Sequence, residues 1–368
     1  MTTKLDLVEQ YVLNYIKQHS AQANLRIPSE NALCRLLGVS RQCCRPALEH
    51  LREKGYIYKV KGSGAFISND AERLIRRVSA ITPQCIALIV PDLSSGFIHG
   101  IIRSVEKEAF KNQLNVIVLC SEKSIVKEAE CLNRAISSSA KGVIMYLANN
   151  VNCKATLAIL KSKKIPAVFI DAKIYGDNFI SVSSNSFIDV ENATSRLLHM
   201  GHKNVGIISP SANENNSVPD RILGYRSAIK SFSIPFHKAY ALSIPFETPE
   251  EESDKMIETF FRNNKRLTAV IVLSSPLTLK SVAILNKINK RVPQDVSVVG
   301  YEDDFSDMID FMEIKLTTIR QNTALIGETA TNVLSGLIHH YPTNKNHIVL
   351  PSQLIIRDST RSIYSFSL

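Results

Sequence analysis

Three polar side chains lie within about one turn of a predicted helix. Arg41, Gln42 and Arg45 follow Ser40, and the four-residue spacing of the two arginines places them on one helical face. The forked donors of arginine and the amide of glutamine match the edges of guanine and adenine in the major groove. We therefore predict that these residues contact bases, with Ser40 beside them at the helix start. Arginines on a merely solvated helix face are the alternative.

A second set of basic residues surrounds a glycine-rich turn. Lys59 and Lys61 flank Gly62-Ser63-Gly64, where the missing Cβ atoms let the backbone approach a sugar-phosphate chain. Arg26 is a further candidate for a phosphate contact. We predict that Arg26, Lys59, Lys61 and Gly62 contact the DNA backbone. The alternative is a glycine hairpin with incidental lysines, whose substitution would not weaken binding.

Polar residues also follow the apolar runs that we predict to be buried strands. The carboxyl ends of parallel strands open onto a crevice. Carboxylates and an arginine there can hold polyol hydroxyls by bidentate hydrogen bonds, and a phenyl ring can cover an apolar face. The predicted ligand contacts are Asp92, Ser95, Phe97, Asp171, Ser184, Arg221, Ser275 and Glu302. For each residue singly, a cap on the protein surface is the alternative.

The sequence contains no pattern typical of a metal site, a disulfide framework or a cofactor-binding site. The seven cysteines include no C-x-x-C pair, which predicts reduced thiols and no zinc site. Neither a phosphate-binding loop nor a nucleophile beside a base is present. We expect no metal, no cofactor and no catalytic residue. A redox switch between the adjacent Cys43 and Cys44 is disfavoured because neighbouring cysteines bridge only with strain.

The elements that position the basic residues predict a helix-turn-helix and a wing. Apolar residues recur every three to four positions from residue 5 to 16, Ser29 caps a second helix that Gly38 ends, and Ser40 caps a third. Residues 56–60 and 65–67 predict two strands. Within the third helix, Cys44 falls on the buried stripe, and Pro46 removes an N–H and can kink the helix.

From residue 86 onward, short apolar runs alternate with amphipathic helical stretches. This pattern predicts parallel sheets covered by helices on both faces, in two doubly wound lobes. The predicted fold is thus a mainly α winged helix-turn-helix domain at 1–68, a linker at 69–84 and a two-lobed α/β domain at 85–368.

The chain has 368 residues and a net charge of +10 that is unevenly distributed. Residues 1–77 hold thirteen Lys and Arg against seven Asp and Glu, a net of +6, and the rest hold thirty-one against twenty-seven, a net of +4. A small basic domain beside a nearly neutral one is expected where the first binds a polyanion. No apolar run reaches the ~18 residues of a membrane helix, and we expect a cytoplasmic protein without a membrane partner.

The first domain resembles the winged helix-turn-helix of GntR-family transcription regulators. The resemblance rests on Arg26 to Glu30, Leu36 to Arg41, Arg45 to Leu48 and Gly62 to Ile67. The remainder is similar to the effector domain of LacI/GalR regulators, which itself resembles periplasmic sugar-binding proteins. This second similarity rests on stretches such as Ile86 to Asp92, Arg221 to Tyr225 and Val292 to Tyr301. The combination is that of arabinose-repressor-type GntR regulators.

The resemblance implies a repressor of carbohydrate-utilisation genes. Such a protein binds a palindromic operator in double-stranded DNA as a homodimer and responds to a small-molecule effector, a sugar or a derivative. It further implies DNA contacts at Arg41, at Arg45 and at the wing tip, and sugar contacts at Arg221 and Glu302. Finally, it implies that the chain crosses between the lobes near 183, between 305 and 317, and after 340.

Departures from the family pattern leave other effectors open. Ala172, Ser184 and Ser274-Ser275 stand where sugar-binding relatives carry arginine, an acidic residue and Asn-Asp. A non-sugar effector or an unused pocket is therefore one alternative. A GntR fusion with an aminotransferase-like enzyme is another, but it needs a Schiff-base lysine and a differently patterned second domain. A transport binding protein would need a signal segment, which we do not expect.

Overall fold

The computed structural model describes residues 4–19, 24–60, 62–71, 74, 84–149, 153–172, 174, 179–211, 217–304, 312–340 and 346–364. It divides the chain into two compact units, Met1–Pro83 and Gln84–Leu368. Most of the predicted linker, 69–84, lies outside the described residues, as does Lys61 of the predicted wing contact. No helix in the described ranges is long and apolar enough to cross a membrane.

Helices followed by a hairpin make up the first unit. Ser29 accepts a hydrogen bond from the Ala32 N–H over 3.3 Å, and Gly38 ends the second helix with a φ of 62°, as predicted. Ser40 occupies the N-cap of the third helix but makes no capping hydrogen bond, and this helix continues through Pro46. The elements are α1 (Lys4–Gln18), α2 (Glu30–Leu37), α3 (Arg41–Glu53), β1 (Ile57–Val60) and β2 (Gly64–Ile67).

A single apolar cluster holds these elements together. Val12 of α1, Leu33 of α2 and Leu51 of α3 are buried in it together with Ile57 and Ile67 of the antiparallel hairpin. Each fully buried side chain of this size contributes ~1.5–3 kcal/mol to folding. The apolar stripe predicted for the third helix, Cys44 included, is buried as expected.

In the described part of the second unit, the strands form two six-stranded sheets, one in each lobe. Their strand orders are β13-β7-β6-β5-β3-β4 and β14-β12-β11-β10-β8-β9. In chain order the elements are β3 (Gln84–Val90), α4 (Gly96–Lys111), β4 (Leu114–Cys120), α5 (Ile125–Ser137), β5 (Val143–Met145), α6 (Lys154–Lys163), β6 (Ala167–Ile170), β7 (Ile180–Ser184), α7 (Ser186–His199), β8 (Val205–Pro210), α8 (Val218–Ser231), β9 (Ala241–Ile244), α9 (Glu250–Asn263), β10 (Ala269–Val272), α10 (Ser275–Lys287), β11 (Ser297–Tyr301), β12 (Thr317–Arg320), α11 (Thr323–Ile338), β13 (His347–Leu350) and β14 (Gln353–Ile355).

The predicted doubly wound lobes are confirmed, because each sheet has an apolar core on both faces. Along β3, Ile86 and Leu88 pack into one core of the first lobe, while Ala87 and Ile89 pack into the other. The described pairs of these sheets are parallel except for β14, which runs antiparallel to β12. The sequence pattern did not indicate this antiparallel edge.

Helices α7 and α8 approach each other closely beside the second sheet. A Cβ atom on Gly224 would lie 2.2 Å from the carbonyl oxygen of Phe187, so only glycine fits there. This close packing fixes the first turns of α8, which carry Arg221.

The chain crosses between the lobes three times within the described residues, and one crossing differs from the prediction. The first lies between β7 and α7 and the third between β13 and β14, consistent with the predicted places. The crossing expected between 305 and 317 is wrong, because Thr317 begins β12, which still pairs with β11 in the second lobe. The chain crosses only between β12 and α11, whose apolar face packs in the first lobe.

Candidate functional site

The solvent-facing side of α3 is polar and basic. Arg41, Gln42 and Arg45 are exposed, whereas Cys44 and Leu48 are buried in the core. A recognition helix needs this division, because its buried side holds the helix in place while its exposed side reaches base edges. The residues predicted to contact bases therefore lie together on the accessible side of one helix.

Two glutamates that were not predicted as site residues pair with the basic side chains. Arg45 Nε lies 3.2 Å from Glu30 Oε1, and Lys59 Nζ lies 3.0 Å from Glu49 Oε2. Hydrogen bonding to Lys59 lowers the pKa of the Glu49 carboxyl, which keeps this partner ionised. Because exposed ion pairs contribute only ~0–1 kcal/mol, DNA can replace the glutamates at little cost.

Arg26 lies against the glycine turn of the hairpin. A Cβ atom on Gly64 would be 2.9 Å from Arg26 Nε, and Arg26 forms a bridge with Phe66 of β2. Gly62 has a φ of 82°, in the left-handed region that favours glycine. Arg26 and the described part of the turn thus form one exposed basic edge, as the predicted phosphate contacts require.

Replacing Lys59 with alanine should weaken binding to all duplexes alike. Lys59 projects from the wing strand β1 and is exposed, so it offers charge to phosphates instead of reading bases. The slope of log affinity against log salt should fall by about one unit. Fluorescence anisotropy with cognate and scrambled duplexes at several salt concentrations measures both effects. A changed sequence preference with an unchanged slope would mean that the wing reads bases.

Arg221 is the centre of the predicted ligand site in the second unit. Its side chain is 2% exposed, and its guanidinium carbon lies 3.6 Å from the centre of the Tyr301 ring. Nη1 donates to the Leu273 carbonyl over 3.0 Å, and Nη2 lies 3.9 Å from Asp171 Oδ2. The sequence therefore places a fully buried cation between strand ends of both lobes.

Asp171 faces Arg221 from the first lobe. It follows β6 with a φ of 51°, an unusual conformation for a residue other than glycine. Its Oδ2 accepts hydrogen bonds from Ser217 over 2.9 Å and from Tyr146 over 3.3 Å. Burial raises the pKa of the Asp171 carboxyl, and the Arg221 guanidinium opposes that shift. Ser217 and Tyr146 were not predicted: Ser217 precedes helix α8, and Tyr146 directly follows β5 but belongs to the apolar run that predicts this strand.

Glu302 lies at the end of β11 and also has a left-handed backbone, with a φ of 73°. Its Oε2 accepts a hydrogen bond from the Ser275 N–H over 3.4 Å, which brings two predicted residues together. Burial raises the pKa of Glu302 from 4.5 to about 7, with Arg221 opposing the shift and Asp304 adding to it. Arg221, Asp171, Ser275 and Glu302 therefore belong to one cluster.

The other predicted ligand residues have different surroundings. Asp92 accepts hydrogen bonds from the Ser94 and Ser95 N–H groups over 3.0 and 3.2 Å, so it caps its own loop. Ser95 occupies the N-cap position of α4, where its side chain makes no capping hydrogen bond. Phe97 is buried with its ring edge-on to Tyr146, 6.0 Å between centroids. A ligand that contacts Asp92, as predicted, would therefore compete with the hydrogen bonds that Asp92 accepts within its own loop.

The position of Ser184 in the structure differs from the predicted one. It does not lie in a loop after an extended segment but is the last residue of β7, where its hydroxyl accepts a hydrogen bond from Gln321 Nε2 over 3.1 Å. Gln321 precedes α11 at the second crossing between the lobes. Ser184 therefore links the sheet of the first lobe to the second crossing between the lobes.

Direct contacts join the two lobes beside this cluster. Asp304, after β11, accepts hydrogen bonds from the N–H groups of Gly96 and Phe97 at the start of α4. A carboxylate is favourable at this positive end of a helix. Lys123 of the first lobe lies 4.7 Å above the Phe246 ring of the second. These contacts were not predicted, because they join residues far apart in the sequence.

The stability contributed by Glu302 should depend on pH. Since the pKa is raised from 4.5 to about 7 on folding, the folded protein binds more protons than the unfolded chain in this window. The contribution is therefore full below pH 4.5 and is lost as the pH rises to about 7. Unfolding of wild type and Glu302→Gln, compared from pH 4 to 8, should show a stability difference that changes across this range. A difference independent of pH would contradict the prediction.

In the described part of the chain, no three His, Cys, Asp or Glu residues are placed to hold a metal ion. A buried arginine fork, two carboxyls, hydroxyls and aromatic rings are suited to hydrogen bonding with a small polar ligand.

Comparison with known proteins matches both units. Residues 5–67 match the family model of bacterial regulatory proteins, gntR family, and residues 194–360 match that of the periplasmic binding protein-like domain. The chain is 24% identical to the arabinose metabolism transcriptional repressor of Geobacillus stearothermophilus, over 97% of both chains.

Solved structures share the fold of the second unit. The transcription regulator CcpA of Lactococcus lactis aligns with a TM-score of 0.68 and 19% identity, covering 76% of this chain and 99% of that one. A LacI-family regulator of Enterococcus faecium with bound ribose aligns with a TM-score of 0.65 and 24% identity, covering 76% and 100%.

The matched regions and the fold agree with each other. The first region covers the helix-turn-helix and the wing, and the second covers much of the two-lobed α/β unit. The resemblance inferred from the motifs is therefore confirmed. The chain therefore combines a region of the gntR family of bacterial regulatory proteins with a periplasmic binding protein-like domain that follows it.

Proposed function

We propose that the protein is a ligand-responsive repressor that binds a palindromic operator as a homodimer and controls carbohydrate-utilisation genes. The observation that carries the proposal is the presence, in one chain, of an exposed Arg41, Gln42 and Arg45 face and a buried polar cluster around Arg221. The similarity to an arabinose metabolism repressor along nearly the whole length supports this reading. A repressor of this kind acts in the cytoplasm and needs no catalytic residue.

The effector in this proposal is a sugar or a sugar derivative. Arg221 Nε is buried without a hydrogen-bond partner, and such groups are rare in native proteins. A ligand hydroxyl would satisfy it, while Asp171 and Glu302 would accept hydrogen bonds from other hydroxyls and Phe97 would cover an apolar ring face. The structural neighbour with bound ribose supports an effector of about the size of that sugar.

A non-sugar effector is the second candidate. Ala172 is buried and offers no hydrogen bond from its side chain, and Ser184 already pairs with Gln321. Polar anchors found in sugar-binding relatives are thus missing or engaged elsewhere. An effector with fewer hydroxyl groups would lose fewer hydrogen bonds through these changes.

Ligand binding between the lobes would act on DNA through lobe closure. We propose that closure changes the orientation of the lobes in the dimer and, through residues 69–84, the spacing of the two winged domains. A dimer reads two half-sites at a fixed separation, so a small change in spacing costs operator affinity without altering any contact.

The proposal is tested in two steps with the full-length protein. Selection from a random duplex library should enrich one palindromic sequence, and failure to enrich any sequence would contradict the regulator. A thermal-shift screen over pentoses, hexoses, uronic acids and their phosphates should identify a stabilising compound. A ligand at 100 times its Kd adds ~2.7 kcal/mol. If none of these compounds stabilises the protein, the second candidate replaces the sugar.

A further inference from the structure

The helix-turn-helix contains a pair of thiols that its DNA-reading residues do not use. Cys34 lies on α2 and is half-buried, while Cys44 lies on α3 and is fully buried. Both belong to the apolar cluster that holds the two helices together. The pair therefore spans the contact between the recognition helix and the helix before it.

The position of the Cys44 sulfur brings the two thiols together. Cys44 Sγ points at the main-chain oxygen of Glu30, 3.9 Å away, in the first turn of α2. Cys34 is four residues after Glu30 and therefore on the same face of α2, and helical side chains lean towards the N-terminus. The Cys34 side chain is thus directed towards the place that the Cys44 sulfur occupies, and both side chains pack in the same apolar cluster.

Cys43 has a different environment. Its sulfur accepts a hydrogen bond from the Ser40 hydroxyl over 3.5 Å, at the solvent-exposed start of α3. It is also the chain neighbour of Cys44, and such neighbours bridge only with strain. Cys43 is consequently a matched control for the pair: it lies on the same helix and is half-buried like Cys34.

We propose that Cys34 and Cys44 form a reversible disulfide that makes DNA binding sensitive to peroxide. The half-buried Cys34 reacts first: its thiolate displaces hydroxide from hydrogen peroxide and becomes a sulfenic acid. The Cys44 sulfur then attacks the Cys34 sulfur, and the sulfenic oxygen leaves as water with the Cys44 proton. In total, two thiols and one peroxide give one disulfide and two waters.

The two cysteines differ in reactivity as this order requires. Burial, followed by the neighbouring Cys34, raises the pKa of the Cys44 thiol to about 12. Cys44 therefore stays protonated and does not meet peroxide itself. Its attack on a sulfenic acid formed beside it passes the thiol proton to the leaving hydroxyl group, which departs as water.

Bond formation moves the recognition helix. The sulfur atoms of a disulfide are about 2.05 Å apart, closer than two thiols that are not bonded to each other can approach. Because Cys44 is held inside α3, shortening this distance shifts Arg41 and Arg45 relative to α2. The consequence for DNA rests on the proposed operator binding, whereas bond formation does not. Displacing one base contact corresponds to roughly a tenfold loss of operator affinity.

The test treats full-length wild type, Cys34→Ser and Cys43→Ser with hydrogen peroxide, and then with dithiothreitol. Peptide mapping after alkylation should find a Cys34–Cys44 linkage in wild type and in Cys43→Ser but not in Cys34→Ser. Operator affinity should fall about tenfold on oxidation only in the two proteins that form the bond. Reduction should restore it. Circular dichroism of the reduced proteins confirms that each variant is folded.

Several outcomes would overturn the inference. A linkage through Cys43, or the absence of any linkage, contradicts the assigned pair. A Cys34–Cys44 bond that leaves operator affinity unchanged contradicts its effect on DNA. If reduced wild type shows no specific DNA binding, the proposed function fails, and the peptide map still decides whether the disulfide exists.

Discussion

Replacing Arg221 with alanine should lower the free energy of unfolding by about 3–5 kcal/mol. The guanidinium is 2% exposed and lies 3.9 Å from Asp171, which is equally buried. Its removal leaves the Asp171 carboxyl without a nearby cation and the Tyr301 ring without its stacking partner. Equilibrium unfolding in urea with intrinsic tyrosine fluorescence measures the loss.

The matched control is Arg226→Ala on the same helix. Arg226 is exposed, and its guanidinium lies 4.8 Å from the centre of the Phe236 ring at the surface. This variant should stay within about 1 kcal/mol of wild type, the usual value of an exposed cation–π contact. If both variants lose the same free energy of unfolding, the buried contacts of Arg221 do not stabilise the protein more than the exposed contact of Arg226.

Replacing Arg45 with alanine should reduce affinity for the cognate duplex by about 1–3 kcal/mol. The cause is the loss of a bidentate contact with one base, because Arg45 projects from the exposed side of α3 beside Gln42. Its pairing with Glu30 over 3.2 Å is too exposed to oppose DNA strongly. Titration against cognate and scrambled duplexes separates the specific loss from the electrostatic one.

Arg52→Ala controls for charge on the same helix. Arg52 lies in the last turn of α3, where it pairs with Glu49, far from the N-terminal turns that enter the groove. It should lower affinity for cognate and scrambled duplexes to the same small extent. Should Arg45→Ala behave like Arg52→Ala, Arg45 would be a phosphate contact and not a base contact.

The winged helix-turn-helix could be predicted from sequence because its signals are local. Ser29 and Gly38 mark the ends of α2 by capping chemistry that acts over three or four residues. The buried stripe of α3 follows directly from helical periodicity. Such features depend on neighbouring residues alone, and the structure reproduces them.

The missed features depend on contacts between distant residues. Strand β12 was not predicted, because its four residues from Thr317 carry a weak pattern and pair with β11 and β14, which are distant in the sequence. The assignment of the second crossing failed for the same reason. At the ligand site, the polar residues at strand ends identified Asp171 and Glu302. Ser217 was missed because it precedes a helix, and Tyr146 because the apolar run of its strand includes it; both contact Asp171 in the folded chain.

A ligand in the cleft between the lobes is expected to change operator binding. The measurement is the affinity of full-length protein for its selected operator, with and without the ligand found by thermal shift, together with the ligand affinity with and without operator. Coupling of ~1–3 kcal/mol should appear, and the two factors should be equal because linkage is reciprocal. A ligand that binds tightly but leaves operator affinity unchanged would contradict the claim.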